Sequence, residues 1–290
     1  MRVMIIGSTG QLGSDLVKVL QDQELIPLTH QDMDICEPIG VRAMLRRYQP
    51  EVVINTAAYH KVDECEVNAE RAFAVNTLGV RNLALACREY DCTLLHMSTD
   101  YVFDGRKETA YVETDPTNPI NVYGISKLAG EHFIKYLLVR YFIVRTSGLF
   151  GVAGSSGKGG NFVELMLRLA REGRAIRVVD DQVLSPTYTL DLAYQIKSLI
   201  QTEHYGLYHA TSHGACSWYQ FAAKIFELAG LSPSLSPQTT AESGAKATRP
   251  ARSELENGAL QRIGLDRMRR WEEGLAAYME ARRAAHPEEG

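Results

Sequence analysis

Residues 1–13 read MRVMIIGSTGQLG, and their interpretation decides the fold. Val3, Met4, Ile5 and Ile6 form a short apolar run closed by Gly7, the pattern of a buried strand. Leu12, Leu16, Val19 and Leu20 then recur at helical spacing. A strand, a glycine-rich turn and a helix in that order suit a dinucleotide. The glycines let the backbone approach a pyrophosphate, and the helix N-terminus stabilises its charge. A glycine-rich turn can also simply reverse the chain, but this one opens a long alternation of strands and helices.

That alternation sets the expected architecture. Strands are predicted over 25–29, 51–55, 93–97 and 141–145, with a helix over 41–48 stopped by Pro50 and a helical pattern over 63–89. Asn76 sits inside that pattern, where an Asn either faces solvent or bonds a kinked backbone. Small residues, Thr56-Ala57-Ala58, follow the third strand and leave room for a cofactor. The fourth strand delivers Ser98-Thr99-Asp100 to the carboxyl edge of the sheet, where ligands bind in open α/β folds. Further on, strands are expected over 176–179 and 207–210 and helices over 189–200, 218–229 and 266–282. Residues 232–250, rich in Ser, Pro, Thr and Ala, read as a surface loop. The expected fold is α/β: a Rossmann-type doubly wound parallel sheet with a smaller C-terminal α/β substrate lobe. Residues 1–150 form the NAD(P)-binding domain, with strand and helix returns from 176–210, and 151–290 form mainly the substrate lobe.

Composition narrows the function classes. The 290 residues are 45% hydrophobic and 23% charged, enough for a sizeable core. A formal net charge of -4 offers no global basic field for nucleic acid or an anionic membrane. No apolar run approaches the ~18 residues of a membrane span. The first apolar run is too short for a signal peptide core. The five cysteines form no C-x-x-C pair, which fits free thiols in a reducing compartment. A cytoplasmic location follows as the expectation. The segment 151–160, GVAGSSGKGG, tempts a phosphate-loop reading, but Val152 stands where Gly is required and Gly159 where Ser or Thr is required. It reads as a mobile loop near the substrate.

The chemistry resides in Tyr123 and Lys127, four residues apart and so on one helical face. A free phenol has a pKa of about 10 and exchanges protons poorly near neutrality. A lysine ammonium beside it would lower that value and make Tyr123 an acid–base group. Thr99, at a strand end, could hold the substrate oxygen. Cofactor preference stays open, because His30, Gln31 and Asp32 after the second strand contain neither a clear acid for a ribose hydroxyl nor a clear base for a phosphate.

Several long stretches carry a resemblance: GSTGQLG (7–13), VVINTAAYHKVDECE (52–66), STDYVFDG (98–105), DPTNPINVYGISKLAGE (115–131), NFVELMLRLARE (161–172), VVDDQVLSPTY (178–188) and RPARSELE (249–256). With its G-x-x-G-x-x-G turn, the chain resembles the dTDP-4-dehydrorhamnose reductase family of extended short-chain dehydrogenases/reductases. The resemblance implies reduction of a 4-keto nucleotide sugar by NADPH, with NADH as the alternative. Thr99, Tyr123 and Lys127 would be the catalytic residues, Tyr123 giving the proton. Gly7, Gly10, Gln11, Leu12, Gly13, Asp34, Ile35, Ala57, Ala58 and Tyr59 would line the cofactor, together with Tyr123 and Lys127. Thr99, Asn161, Arg249 and Arg252 would meet the substrate, the arginines at its diphosphate. Related 4,6-dehydratases follow the same Thr-Asp with Glu, whereas Tyr101 stands here, which favours plain carbonyl reduction. Gly148 occupies a place where the family commonly has Trp, so the resemblance leaves the sugar open, and the 151–160 stretch could supply the missing contact. Some members bind Mg²⁺ at a dimer interface. Asp15 and Asp191 are the candidates here, although no metal ligand is assigned among the site residues, and a homodimer is the assembly this would allow. The remaining alternatives are a reductase of another keto nucleotide sugar and a non-catalytic NADP-binding regulatory subunit.

Overall fold

In the computed structural model, which describes residues 1–153 and 160–285, the first apolar run forms β1 (Arg2–Ile6). The chain then passes through Gly7 into α1 (Gln11–Val19), β2 (Glu24–Leu28), α2 (Pro38–Tyr48) and β3 (Val52–Asn55). Pro38 opens α2 with its preset φ. The pattern over 63–89 is broken into α3 (Val62–Val67), α4 (Ala69–Phe73), a π-helical turn at Ala74–Gly79 and α5 (Val80–Glu89). Asn68 leaves helical geometry between the first two pieces, as its short polar side chain favours. β4 (Thr93–Thr99) is buried at every residue. α6 (Val122–Leu137) is capped by Asn121, whose side chain accepts from Gly124 N at 2.8 Å, and β5 (Tyr141–Thr146) follows.

Next come β6 (Leu149–Phe150), α7 (Phe162–Arg171), β7 (Ile176–Val179), β8 (Val183–Leu184), β9 (Thr187–Tyr188), α8 (Thr189–Ile200) and β10 (Gly206–His209). The described chain closes with β11 (Cys216–Ser217), α9 (Trp218–Ala229), β12 (Leu235–Gln238), α10 (Gly258–Arg262) and α11 (Trp271–Ala285). The loop reading of 154–159 lies outside the described residues.

The central sheet runs β2-β1-β3-β4-β5-β10, with every pair parallel. Alternate residues of β1 enter opposite cores. Val3 and Ile5 meet Leu16, Leu192 and Ile196 on one face, while Met4 and Ile6 meet Val41, Leu83 and Ile134 on the other. The strand order reverses between β1 and β3, so the crevice at their carboxyl ends is the expected ligand site.

Three expectations need correction. Of the stretch 176–210, only α8 and β10 return to the main sheet. β7 pairs instead with β12 in the second lobe. Its burial alternates, with Arg177 exposed, so it could not serve in a sheet covered on both faces. The supposed loop 232–250 therefore contains a strand, β12, which tolerates Pro237 because it pairs only with β7. The last helix starts at Trp271, not 266, because Asp266 Oδ1 accepts from Met268 N and holds a turn.

Glu131 and Arg145, both buried, join α6 to β5 through two hydrogen bonds of 2.9 and 2.7 Å, and Ser98 on β4 donates to the same carboxylate at 2.6 Å. Arg145→Met should cost about 3–5 kcal/mol in chemical denaturation, because it leaves a buried carboxylate without its cation. A loss below about 1 kcal/mol would show that the pair does not hold α6 on the sheet.

Candidate active site

The turn after β1 is built for close approach. Gly7 has φ +80, and a Cβ there would lie 2.7 Å from Thr56 Oγ1. A Cβ on Gly13 would lie 2.1 Å from Gly7 O, so helix and turn touch backbone to backbone. No side chain caps α1 at Gly10, which leaves its first amides free for an anion. These features fit a dinucleotide pyrophosphate.

The carboxyl ends of β1, β3 and β4 open into a cavity of about 770 Å³. It is lined by Gly7, Gly10, Gln11, Leu12, Gly13, Asp34, Ile35, Ala57, Ala58, Tyr59, Thr99, Tyr123, Lys127 and Asn161. All the residues expected at the cofactor and at the reaction centre are thus brought together. Arg249 and Arg252 are not among the lining residues, although their neighbours Pro250 and Ser253 are. Arg249 makes a bidentate pair with Asp63, at 3.2 and 2.8 Å, and Arg252 bonds Glu254. Arg249 borders an adjoining groove of about 600 Å³ with Arg174, Arg177, Phe162 and Trp218.

Thr99 Oγ1 donates to Asp100 Oδ1 at 3.0 Å and accepts from Tyr101 N at 3.2 Å. Burial raises the Tyr123 phenol well above its ordinary value, and a hydrogen bond with Thr99 offsets only part of that rise. The expected lowering of this phenol by Lys127 is therefore absent. Lys127 Nζ turns instead to Met97 O, at 2.6 Å, and to His96 Nε2, at 3.2 Å. Helical spacing placed the two residues on one face, but Lys127 is almost wholly buried and its nitrogen takes the partners the sheet offers. Burial pushes Lys127 down to about 8, against the opposing pull of Glu131.

Of the two readings of Asn76, facing solvent or bonding at a backbone kink, the structure takes the second, but its partners were not foreseen. The π-helical turn aims Asn76 inward, where it accepts from Tyr59 N at 2.9 Å and donates to Tyr59 O at 2.9 Å and Ser126 Oγ at 3.0 Å. One side chain thus ties the loop after β3 to α6. A polar amide in an apolar helical run was the available signal. Arg71, which also lines the cavity beside Asp34, was not singled out, whereas His30, weighed for cofactor preference, lines it too.

Gln11 and Asn161 link the turn to the second lobe. Gln11 Oε1 accepts from Gly151 N at 2.9 Å, and Asn161 caps α7 while donating to Gly151 O at 2.9 Å. Gly148 has φ +56, and a Cβ there would lie 2.8 Å from Leu184 Cδ1, so the backbone itself disfavours an aromatic at this position. Asp15 accepts from Thr189 Oγ1 at 2.6 Å, and Asp191 is bonded by Arg269. Among the described residues no group of three or more His, Cys, Asp or Glu side chains is placed to hold a metal ion. No helix among them is long and apolar enough to cross a membrane.

Comparison with known proteins gives a consistent picture. Residues 1–284 match the family model described as the RmlD substrate binding domain. The spore coat polysaccharide biosynthesis protein SpsK of Bacillus subtilis (strain 168) is 40% identical over 286 residues, covering 98% of this chain and 99% of its own. A dTDP-4-keto-6-deoxy-D-glucose reductase of Streptomyces niveus is 37% identical, covering 94% and 95%. The crystal structure of dTDP-4-dehydrorhamnose reductase from Bacillus anthracis str. Ames, in complex with NADP, matches with a TM-score of 0.92 at 41% identity, covering 97% of this chain and 99% of that one.

The lowered Lys127 has a consequence for stability. The folded chain binds this proton less tightly than the unfolded chain does, so unfolding takes up a proton between about pH 8 and the ordinary value of 10.5. Stability therefore rises with pH across that window. Lys127→Met should flatten the rise and add roughly 1–3 kcal/mol near neutral pH, measured by denaturation at several pH values. An unchanged pH slope with lower stability would sink this account.

Proposed function

This chain belongs to the dTDP-4-dehydrorhamnose reductase family of oxidoreductases, and from that premise we propose that it reduces the 4-keto group of a dTDP-linked 6-deoxy sugar, converting dTDP-4-dehydro-L-rhamnose to dTDP-L-rhamnose. The observation that supports this most is the meeting of Thr99, Tyr123 and Lys127 in the cavity that also holds the glycine turn. NADPH supplies the hydride when bound. Gly7, Gly10, Gln11, Leu12 and Gly13 would hold its pyrophosphate on the free amides of α1. Asp34 and Ile35 would lie along the adenosine, with Ala57, Ala58 and Tyr59 along the remaining ribose and phosphates. Arg71, beside Asp34, offers the positive charge that a 2′-phosphate needs, which favours NADPH over NADH.

Tyr123 gives its proton to the oxygen at sugar C4. The phenol is protonated throughout the physiological range, and a cation brought beside it would offset the rise that burial causes and make it a better donor. Thr99 bonds the same oxygen after its hydroxyl turns from Asp100 to the substrate. Lys127 bonds the nicotinamide ribose. The groove beside the cavity suits the nucleotide half of the substrate, with Phe162 and Trp218 for the base and Arg249 for the diphosphate, which replaces Asp63 as its partner. Arg252 lines neither cavity, so the diphosphate is assigned to Arg249.

A second reading keeps the chemistry and changes the sugar. Gly148 favours it, since its conformation excludes the aromatic wall that the family commonly has there. Competition between dTDP-4-dehydro-L-rhamnose and other dTDP-4-keto sugars in one assay separates the two readings. Oxidation of NADPH with dTDP-L-rhamnose as product supports the first. A cofactor that binds without turnover of any keto sugar removes both.

Tyr123→Phe should lower kcat by about 10²–10⁴ with NADPH affinity unchanged by fluorescence titration. Near-normal turnover in this variant would take Tyr123 out of the mechanism. Arg71→Ala should raise KM for NADPH and leave that for NADH in place. Equal changes for both cofactors would mean that Arg71 does not read the 2′-phosphate.

A further inference from the structure

Two fully buried side chains that the proposed reaction leaves unused, Asn55 and His96, form a hydrogen-bonded chain to Lys127. The Asn55 amide has its orientation set by the backbone, since Oδ1 accepts from Ala57 N at 3.1 Å. Its Nδ2 then lies 3.0 Å from His96 Nδ1. An amide nitrogen only donates, so Nδ1 must be the accepting nitrogen of the ring. A neutral imidazole carries one N–H, and here it must sit on Nε2. Burial, followed by the nearby lysine, holds His96 well below its ordinary value, so the ring is neutral.

That N–H points at Lys127 Nζ, 3.2 Å away. An ammonium has no lone pair, so against it the contact would set donor against donor. The uncharged amine accepts from His96 and still donates to Met97 O at 2.6 Å. We infer that Asn55 and His96 form a dock selective for the uncharged amine of Lys127, and that taking up a proton from solvent releases this side chain towards Tyr123 and the cofactor ribose. His96 is then a positioning residue, and the inference rests on the role given to Lys127 above.

The other groups around Lys127 allow such a balance. On α6, Tyr123 lies one turn before it and Glu131 one turn after. Glu131 favours the ammonium, but much of its charge is taken by Arg145 on β5, with Ser98 on β4 and Lys135 also bonded to it. Asp100, just after β4, is engaged by Thr99 and Ser147. β3 contributes only the neutral Asn55. With Lys127 brought down to about 8 by burial, both of its forms exist near neutral pH.

The test uses the full-length protein labelled with ¹⁵N-histidine and ¹⁵N-lysine and needs no substrate, so it stands or falls apart from the reductase assignment. Imidazole nitrogen shifts should show His96 protonated at Nε2 and not at Nδ1. Asn55→Asp places an acceptor opposite Nδ1, so the tautomer should invert and Nε2 should accept from the ammonium. The Lys127 titration should then move up by about one unit or more. The same substitution in a His96→Phe background isolates the effect of the added charge and should give a smaller shift. A wild-type ring protonated at Nδ1 would overturn the inference, and that measurement needs no variant to fold. An unmoved Lys127 in Asn55→Asp, or an equal shift without the imidazole, would overturn it too.

Discussion

The carboxylate of Glu131 is the tie on which the arrangement of the site depends. It is buried on α6 and accepts from Arg145 on β5 and Ser98 on β4. α6 carries Tyr123 and Lys127, whereas β4 carries His96 and Thr99. A purely apolar seam between helix and sheet would hold them together without fixing one register. Charge-assisted hydrogen bonds in a dry interior are directional, so a slip of either element would strand a buried charge. The helix is thereby held where Tyr123 and Lys127 meet the end of the strand.

Around this tie lies a set of uncharged polar groups, each committed in both its donors and its acceptors. Asn76 satisfies both backbone groups of Tyr59 and reaches Ser126 on α6. Asn55 holds Ala57 and the His96 ring. Both amides therefore link the loop after β3, one to α6 and the other to the strand bearing His96. Unpaired polar groups at this depth would each be costly, but fully paired they stiffen the cavity wall. Lys127 is the exception, because burial disfavours its charge and its position lowers stability. Perturbed groups of this kind cluster where a protein has chemistry to perform.

The second lobe meets the cofactor turn through few side chains. Gln11 and Asn161 share Gly151, so the N-terminal cap of α7 and the glycine turn are coupled directly.

Local pattern alone was enough to determine the strand–turn–helix opening, the alternation of elements and the ends of α8 and α9, whereas the residues expected along the cavity came from the family resemblance. The former depend on neighbours in sequence: apolar periodicity, turn residues and helical spacing. What the tertiary structure decided is of another kind. The i,i+4 spacing put Lys127 and Tyr123 on one face, yet burial raised the phenol and sent the lysine nitrogen to Met97 and His96. The inward turn of Asn76, the pairing of β7 with β12 and the commitment of Arg249 to Asp63 all join residues far apart in the chain. Desolvation and hydrogen-bond partnership are set by which distant groups share a dry space, and a linear pattern carries no direct record of that.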